Sequence, residues 1–393
     1  MFVQDLAARE VRRFSRFISG QCGRRLCLVA ALAAILLVAV QPGWAIVTSD
    51  DPDSPHHLVQ PDSAYNMVGY FDLLGGTTGV LIGPRHVLTA GHVVSSVSDP
   101  TSISFRLDLP DGSHSYGVSE RYVHPDADLA LLTLADRVGL SGYALYRDFD
   151  EVGKTAAIVG YGNSGTGLTG GVLPRGTKRI AWNRIDRDYT PLRPDNDVLG
   201  YDFDQFDGDN DGPWDGDSLG ETVEGLVSTG DSGGGLFLDM GGEPVLAGIH
   251  SWVISPGGTG ILGFYGDYAF DVRVSKFLDW ISEHVPGDAN QDGRVEGSDY
   301  TIWADHYGET AVPAWSEGGW AYGNFNEDSI VDGADYTLWA DNYLFGTGFN
   351  GGADLPEPNT ALLLVLGAGP RLLGACRQVP RRRRARKAGT NRH

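Results

Sequence analysis

Cysteine is nearly absent from this chain. Only Cys22, Cys27 and Cys376 occur in 393 residues, all near the ends, so residues 46–370 have no disulfide and depend on core burial for stability. Positive charge is as scarce there. Fifteen of the 30 Lys and Arg fall in 1–45 and 371–393, against two of the 51 Asp and Glu; residues 46–370 therefore hold 15 basic and 49 acidic residues, a net charge of −34. Such a surface repels polyanions, which excludes nucleic acid as a partner, and suits a solvated, cation-tolerant extracellular protein. Long apolar runs are missing between the ends. The run at 26–40, LCLVAALAAILLVAV, is shorter than the roughly 20 residues that span a bilayer. With six basic residues in the first 45 and small residues at Gly43 and Ala45, it reads as a secretory signal cut after Ala45, placing the protein outside the cytoplasm.

What is present from Ile46 to Val285 is a series of short apolar or alternating runs punctuated by Gly, Pro, Asp and Asn: TTGVLIG, HVLTAGHVV, SISFRLDL, DLALLTLA, AAIVGYG, VLAGIHSWVI. Period-two runs with turn punctuation predict an all-β sandwich or barrel. One helix is predicted, VRVSKFLDWISEHV, where Val274, Phe277, Leu278, Ile281 and Val285 share a face and Pro286 and Gly287 end it. Beyond it the chain repeats itself: GDANQDGRVEGSDYTIWADHYG at 287–308 returns 36 residues later as GNFNEDSIVDGADYTLWADNYL at 323–344.

Three local motifs carry chemistry. His92 follows an apolar strand in VLTAGHVV, Asp128 opens a strand in HPDADLALLTL, and Ser232 stands among glycines in VSTGDSGGG. A serine hydroxyl is a weak nucleophile at neutral pH; it needs a base, and the base needs a carboxylate to fix its tautomer. The set TAGH, DLALL and GDSGG, in this order, resembles the trypsin-like serine proteases over residues 46–285. The resemblance implies a chymotrypsin-type double β-barrel with the site in the crevice between barrels. It further implies His92 as general base, Asp128 as its orienting partner, Ser232 as nucleophile, the amides of Gly230 and Ser232 as oxyanion hole, and no cofactor for the chemistry. By the same match Ser251 supports Asp128, while Trp252 and Val253 line the cleft. Leu226 stands where enzymes cutting after Lys or Arg carry an aspartate, so the pocket is expected to refuse a basic side chain. Val93 follows the histidine where animal relatives have a cysteine. The resemblance also implies an activation pair, because cleavage after Ala45 exposes Ile46-Val47 and Asp231 precedes the serine.

The acidic stretch 195–218 reads either as a solvated loop or as a calcium loop built on Asp207, Asp209 and Asp211, although Ser218 falls where a twelfth-position acid is wanted. The duplicated repeats, 286–346, resemble the type I dockerin module, which implies a small helical calcium-binding domain and a cohesin-like partner, or docking within the same chain. In the first loop Asp288, Asn290, Asp292, the carbonyl of Arg294, Glu296 and Asp299 hold the ligand positions, with Gly293 at the sharp turn. In the second, Asn324, Asn326, Asp328, Asp332 and Asp335 hold them, but Ser329 replaces the glycine, which predicts a strained turn and weaker binding. Residues 347–393, with Pro-Glu-Pro, an apolar stretch and an arginine cluster, resemble the PEP-CTERM sorting tail of bacterial envelope proteins. Two other readings of the catalytic constellation stay open here: a silent envelope scaffold, and an esterase with the same triad.

Overall fold

Val47 and Thr48 form β1, after which the chain closes a six-stranded antiparallel barrel. Its strands are β2 (Val68–Phe71), β3 (Thr77–Gly83), β4 (His86–Thr89), β5 (Ser104–Leu109), β6 (Gly112–Val123) and β7 (Ala130–Leu134), in the spatial order β2-β3-β4-β7-β6-β5. The runs that were continuously apolar, TTGVLIG and HVLT, are buried along their whole length, whereas the alternating β6 keeps one face in water. A computed structural model describes residues 46–189, 197–208, 212–214 and 218–348; the proposed signal, nearly all of the tail segment, and Asp209 and Asp211 of the acidic stretch lie outside the described residues. No helix among the described residues is long and apolar enough to cross a membrane.

The second half is a six-stranded antiparallel sheet, made of β8 (Thr155–Gly160), β10 (Arg179–Arg184), β11 (Val198–Asp202), β13 (Gly235–Asp239), β14 (Pro244–Ile254) and β15 (Tyr268–Arg273). Its order is β10-β8-β13-β14-β15-β11, and β9 (Gly165–Thr166) and β12 (Gly225–Leu226) flank β1 in a small third sheet. The fold is therefore mostly β with two barrel-like sheets, as expected. β11 corrects the reading of 195–218 as a loop throughout: Val198, Leu199 and Tyr201 are buried, the last two in the second core, and the surrounding aspartates masked that strand.

The predicted helix at 272–285 is also corrected. Val272 and Arg273 still belong to β15, Val274–Lys276 is a 3-10 turn, and only Leu278–Ser282 is α-helical. The apolar spacing was real, since Val274, Phe277, Ile281 and Val285 are all buried, but a strand end, a 3-10 turn and one helical turn deliver it.

The repeats form two matching units, each a loop followed by a helix, at Gly297–His306 and Gly333–Asn342. The duplication is visible in exchanged contacts. Trp303 Nε1 donates to the carbonyl of Asp332 at 2.9 Å, and Trp339 Nε1 donates to that of Glu296 at 3.0 Å. Tyr300 packs on Trp339, and Tyr336 on Trp303, both with ring centroids 5.3 Å apart. This pair of repeats packs against the barrel and shares its core: Phe345 is buried against Gly83 and His86. Arg85 pairs with Asp341 at 2.8 Å, Arg137 donates to the carbonyls of Ala340 and Tyr343, and Arg147 donates to that of Gly293. A cleft of about 800 Å³ runs between barrel and repeats, lined by Tyr122, His284, Trp315, Trp320 and Asn342 among others.

Candidate functional site

β4 ends at Thr89, and one short helical turn, Gly91–Val94, carries His92 out to solvent with its side chain 45% exposed. The loop before β7 brings up Asp128, which grips His92 twice. Its Oδ1 accepts the His92 backbone N–H at 2.8 Å, and its Oδ2 lies 2.8 Å from His92 Nδ1. A carboxylate can only accept there, so Nδ1 donates and Nε2 is left as the basic nitrogen. Ser251 donates its hydroxyl to the same Asp128 oxygen. Burial, the largest single influence on Asp128, pushes its carboxyl up, yet the donors from His92 and Ser251 together hold it below its ordinary range. Ser251 reaches Asp128 because β14 shifts register against β15 between His250 and Trp252, a bulge that turns the intervening side chain out of the ladder.

The serine loop sits against the same barrel wall. Thr78 receives both ends of the turn, its N–H donating to Ser232 O at 3.0 Å and its hydroxyl to Gly230 O at 3.1 Å. Gly233 adopts φ +82°, and a Cβ there would lie 2.0 Å from the Thr89 hydroxyl, so only glycine lets the loop press onto the strand leading to His92. Among the described residues, neither the Gly230 nor the Ser232 backbone N–H donates a hydrogen bond, and the half-buried Ser232 hydroxyl makes none either, to His92 or elsewhere. The structure thus closes the His92–Asp128–Ser251 links and leaves Ser232 beside them without a bond.

Of the expected cleft residues, Trp252 is half-buried and packs on Phe270 at 5.2 Å, with Val253 next to it. Leu226 is corrected: it is fully buried in the second core and paired with Val47, so it offers no surface to an open cleft. Two features were not read from the sequence. His250, buried, pairs with buried Asp271 at 2.9 Å and braces the serine loop through its carbonyl, which accepts Gly233 N–H. Arg175 packs on Gly230 while donating to the carbonyls of Leu74 and Gly76. Both depend on long-range register, which motif spacing does not encode.

Asp231 is wholly buried. Burial, its largest influence, pushes its carboxyl up to about 6, against N–H donation from Ser228 and Gly162, the nearby His250, and N–H donation from Ile46. Ile46 is itself fully buried and held at φ +57°, a left-handed conformation that a β-branched residue enters only under strain.

In the first repeat loop, Asp288 accepts the N–H groups of Asp292 and Gly293 at 3.1 and 2.7 Å, and Asp299 accepts those of Ala289 and Glu296 at 2.9 and 2.8 Å. Gly293 takes the expected left-handed turn at φ +75°. Arg294 lies between, its N–H on Asp292, and Glu296 caps the following helix. Burial above all, reinforced by neighbouring acids, pushes Asp288 up to about 7 and Asp299 up to about 6. The side chains at these positions offer oxygen donors, the kind a hard, oxygen-preferring ion takes. The second loop departs from expectation. Ser329 does not enter the left-handed region, so the predicted strain is avoided, but Asn324 instead turns its amide toward the carbonyls of Pro313 and Asp328. Asn324 Oδ1 is buried without a partner among the described residues, and Asp335 keeps the pattern of Asp299 by accepting from Phe325 and Asp332. Asn326 and Asp328 likewise repeat the arrangement of Asn290 and Asp292.

Two barrel-like β sheets, with a carboxylate-fixed histidine beside a glycine-bound serine, define the architecture of a serine peptidase. The chain is similar to mouse tryptase, 30% identical over 230 residues that cover 53% of this chain and 78% of that protein, and a family model for the trypsin-like peptidase domain matches residues 77–247. It belongs to the trypsin-like peptidases. Among solved structures it is similar to neuropsin, a serine protease expressed in the limbic system of mouse brain, with a TM-score of 0.43 and 20% identity over 58% of this chain and 97% of that one.

Proposed function

We propose that this trypsin-like peptidase is an exported serine endopeptidase that works through His92, Asp128 and Ser232, with a calcium-binding repeat module held on its first barrel. The observation that carries the reading is the double grip of Asp128 on His92, which leaves Nε2 as the base. In this reading Nε2 takes the Ser232 proton as Oγ attacks the scissile carbonyl. Asp128 then stabilises the imidazolium, and the uncommitted N–H groups of Gly230 and Ser232 receive the developing oxyanion. The proton passes to the leaving amine, and a water activated by His92 releases the acyl group from Ser232. A fluorophosphonate probe tests this directly. Labelling is expected at Ser232 in folded, calcium-loaded protein; no labelling would favour the silent scaffold. Digestion of a peptide library should yield products ending in small or medium apolar residues. Products ending mostly in Lys or Arg would show that a carboxylate serves the pocket, and turnover of short esters alone would favour an esterase.

The two repeat loops supply oxygens suited to calcium: Asp288, Asn290, Asp292 and Asp299 in the first, Asn324, Asn326, Asp328 and Asp335 in the second. Calcium there would neutralise buried carboxyls and fix the loops on the barrel. Because Asn324 carries no charge, the first loop is expected to bind tighter, and Asp288→Asn should weaken the tighter step by about an order of magnitude or more. Calorimetric titration of the whole chain checks this, and two equal affinities would contradict it. Since the metal-free Asp288 and Asp299 carboxyls are raised to about 7 and 6, calcium must displace protons, and affinity should rise with pH between roughly 5 and 8. A cohesin-like partner and sorting through the tail complete the proposal.

A further inference from the structure

The segment between β1 and β2 holds the one group, among the described residues, in which three ligand atoms from His, Cys, Asp or Glu converge within 4.8 Å: Asp50, His56 and His57. None of the three has a part in the triad or the calcium loops. His57 is fully buried, with Nδ1 2.9 Å from the carbonyl of Ile180 and Nε2 2.7 Å from Asp50 Oδ1. A carbonyl only accepts, so Nδ1 must carry the proton. A neutral imidazole then has a bare lone pair on Nε2, facing a carboxylate oxygen that also only accepts. Two acceptors at this distance need a positive centre in common. His56 supplies a third ligand from the same side, its Nε2 3.4 Å from Asp50 Oδ2 and its ring centroid 4.1 Å from that of His57.

We propose that Asp50, His56 and His57 bind a zinc-type divalent ion, with solvent in the remaining position. Around a tetrahedral ion with bonds of about 2.0–2.1 Å, ligand atoms lie roughly 3.3 Å apart; His56 Nε2 and Asp50 Oδ2 stand at 3.4 Å, while His57 Nε2 and Asp50 Oδ1, at 2.7 Å, would move apart as the ion enters between them. The Nδ1–H to carbonyl bond of His57 is the outer-shell contact that fixes the tautomer and orientation of a metal-bound imidazole. Two imidazole nitrogens select against calcium and magnesium and for zinc or its first-row neighbours. One side is open for entry, since the side chains of His56 and Asp50 are 44% and 21% exposed. The ion ties β1 to the second sheet. The Thr48 hydroxyl donates to Asp50 O at 2.9 Å, and Ile180 N–H of β10 donates to His57 O at 2.9 Å, so the chain on both sides of the site is already anchored.

The test uses the mature full-length chain, stripped with chelator, then saturated with calcium and titrated with zinc alone against a chromophoric chelator. A single zinc equivalent is expected to bind despite the calcium, to raise the thermal midpoint, and to be replaceable by cobalt with the visible absorption of a tetrahedral nitrogen–oxygen site. His56→Gln, at an exposed position that leaves the fold intact, should weaken zinc by more than the roughly 10- to 100-fold seen on losing an outer-shell partner. It should also abolish the thermal shift without altering the midpoint of the zinc-free protein, while Asp288→Asn retains zinc. If the calcium-loaded wild type takes up no zinc, the charge on His57 is a second proton and the proposal fails. Equal zinc affinity in wild type and His56→Gln overturns it as well.

Discussion

Ser232→Ala is expected to lower kcat for peptide hydrolysis by about a millionfold, the loss measured for the corresponding change in a serine protease of another fold, and His92→Ala by a similar factor. The two losses should not multiply in the double variant, because nucleophile and base act as one unit. Folding should survive both changes. The serine loop is held by main-chain contacts that alanine keeps: Thr78 on the Ser232 and Gly230 carbonyls, His250 on Gly233, and Asp231 on Ser228 and Gly162. The His92 ring is half exposed and its removal leaves the Asp128 contact to the His92 backbone in place. Thermal melts of the purified variants should match the wild type, and a folded Ser232→Ala enzyme that still turns over peptides would remove the nucleophile assignment.

Adding one alanine before Ile46 should lower activity roughly a hundredfold or more. Breaking a buried ion pair costs about 3–5 kcal/mol, which the ordered loop around Gly230 and Ser232 would have to absorb. In the uncut chain the Ile46 amide already donates to Asp231, a carboxyl that burial pushes up to about 6. A cut after Ala45 converts that neutral donor into an ammonium. It also abolishes the φ angle that strains Ile46, since φ needs a preceding residue. Pairing raises the amine above its ordinary value of about 8, so its contribution is complete below that pH and fades as pH climbs through the raised value; an alkaline decline in activity follows. Mass spectrometry of the secreted amino terminus, together with pH profiles of wild type and the extended variant, checks this. A mature chain that begins elsewhere, or full activity on extension, rules out cleavage after Ala45 as the activating step.

His92, Asp128 and Ser232 stand out in the sequence because each sits in a short motif whose local conformation the sequence dictates: a strand end before His92, a strand start after Asp128, a glycine turn around Ser232. The turn of the first repeat loop was legible for the same reason, with Gly293 in the left-handed region. What stayed hidden depends on partners far along the chain. β11 reads as part of an acid-rich loop until β15 pairs with it, and the helix period at 272–285 disguised a strand end because Val272 stands opposite Val198 on one side and Ile249 on the other. Leu226 was assigned by counting back from Ser232, yet its burial is decided by Val47, which lies far away in the sequence. The Asp50, His56 and His57 cluster emerges only once Ile180 is brought beside it.

The exchange of tryptophans between the repeats bears on how this part of the chain arose. Each repeat lends its indole N–H to the backbone at the helix entrance of the other, so a lone repeat would expose one donor and one acceptor that match each other perfectly in a second copy. A gene encoding a single repeat would therefore have made a symmetric homodimer, with the same contact used twice across a two-fold axis. Duplication and fusion would have turned that dimer into one chain, after which the halves were free to diverge. Asn324 and Ser329, where the first copy has Asp288 and Gly293, mark such divergence, while Trp339 stays tied to the first repeat through Glu296.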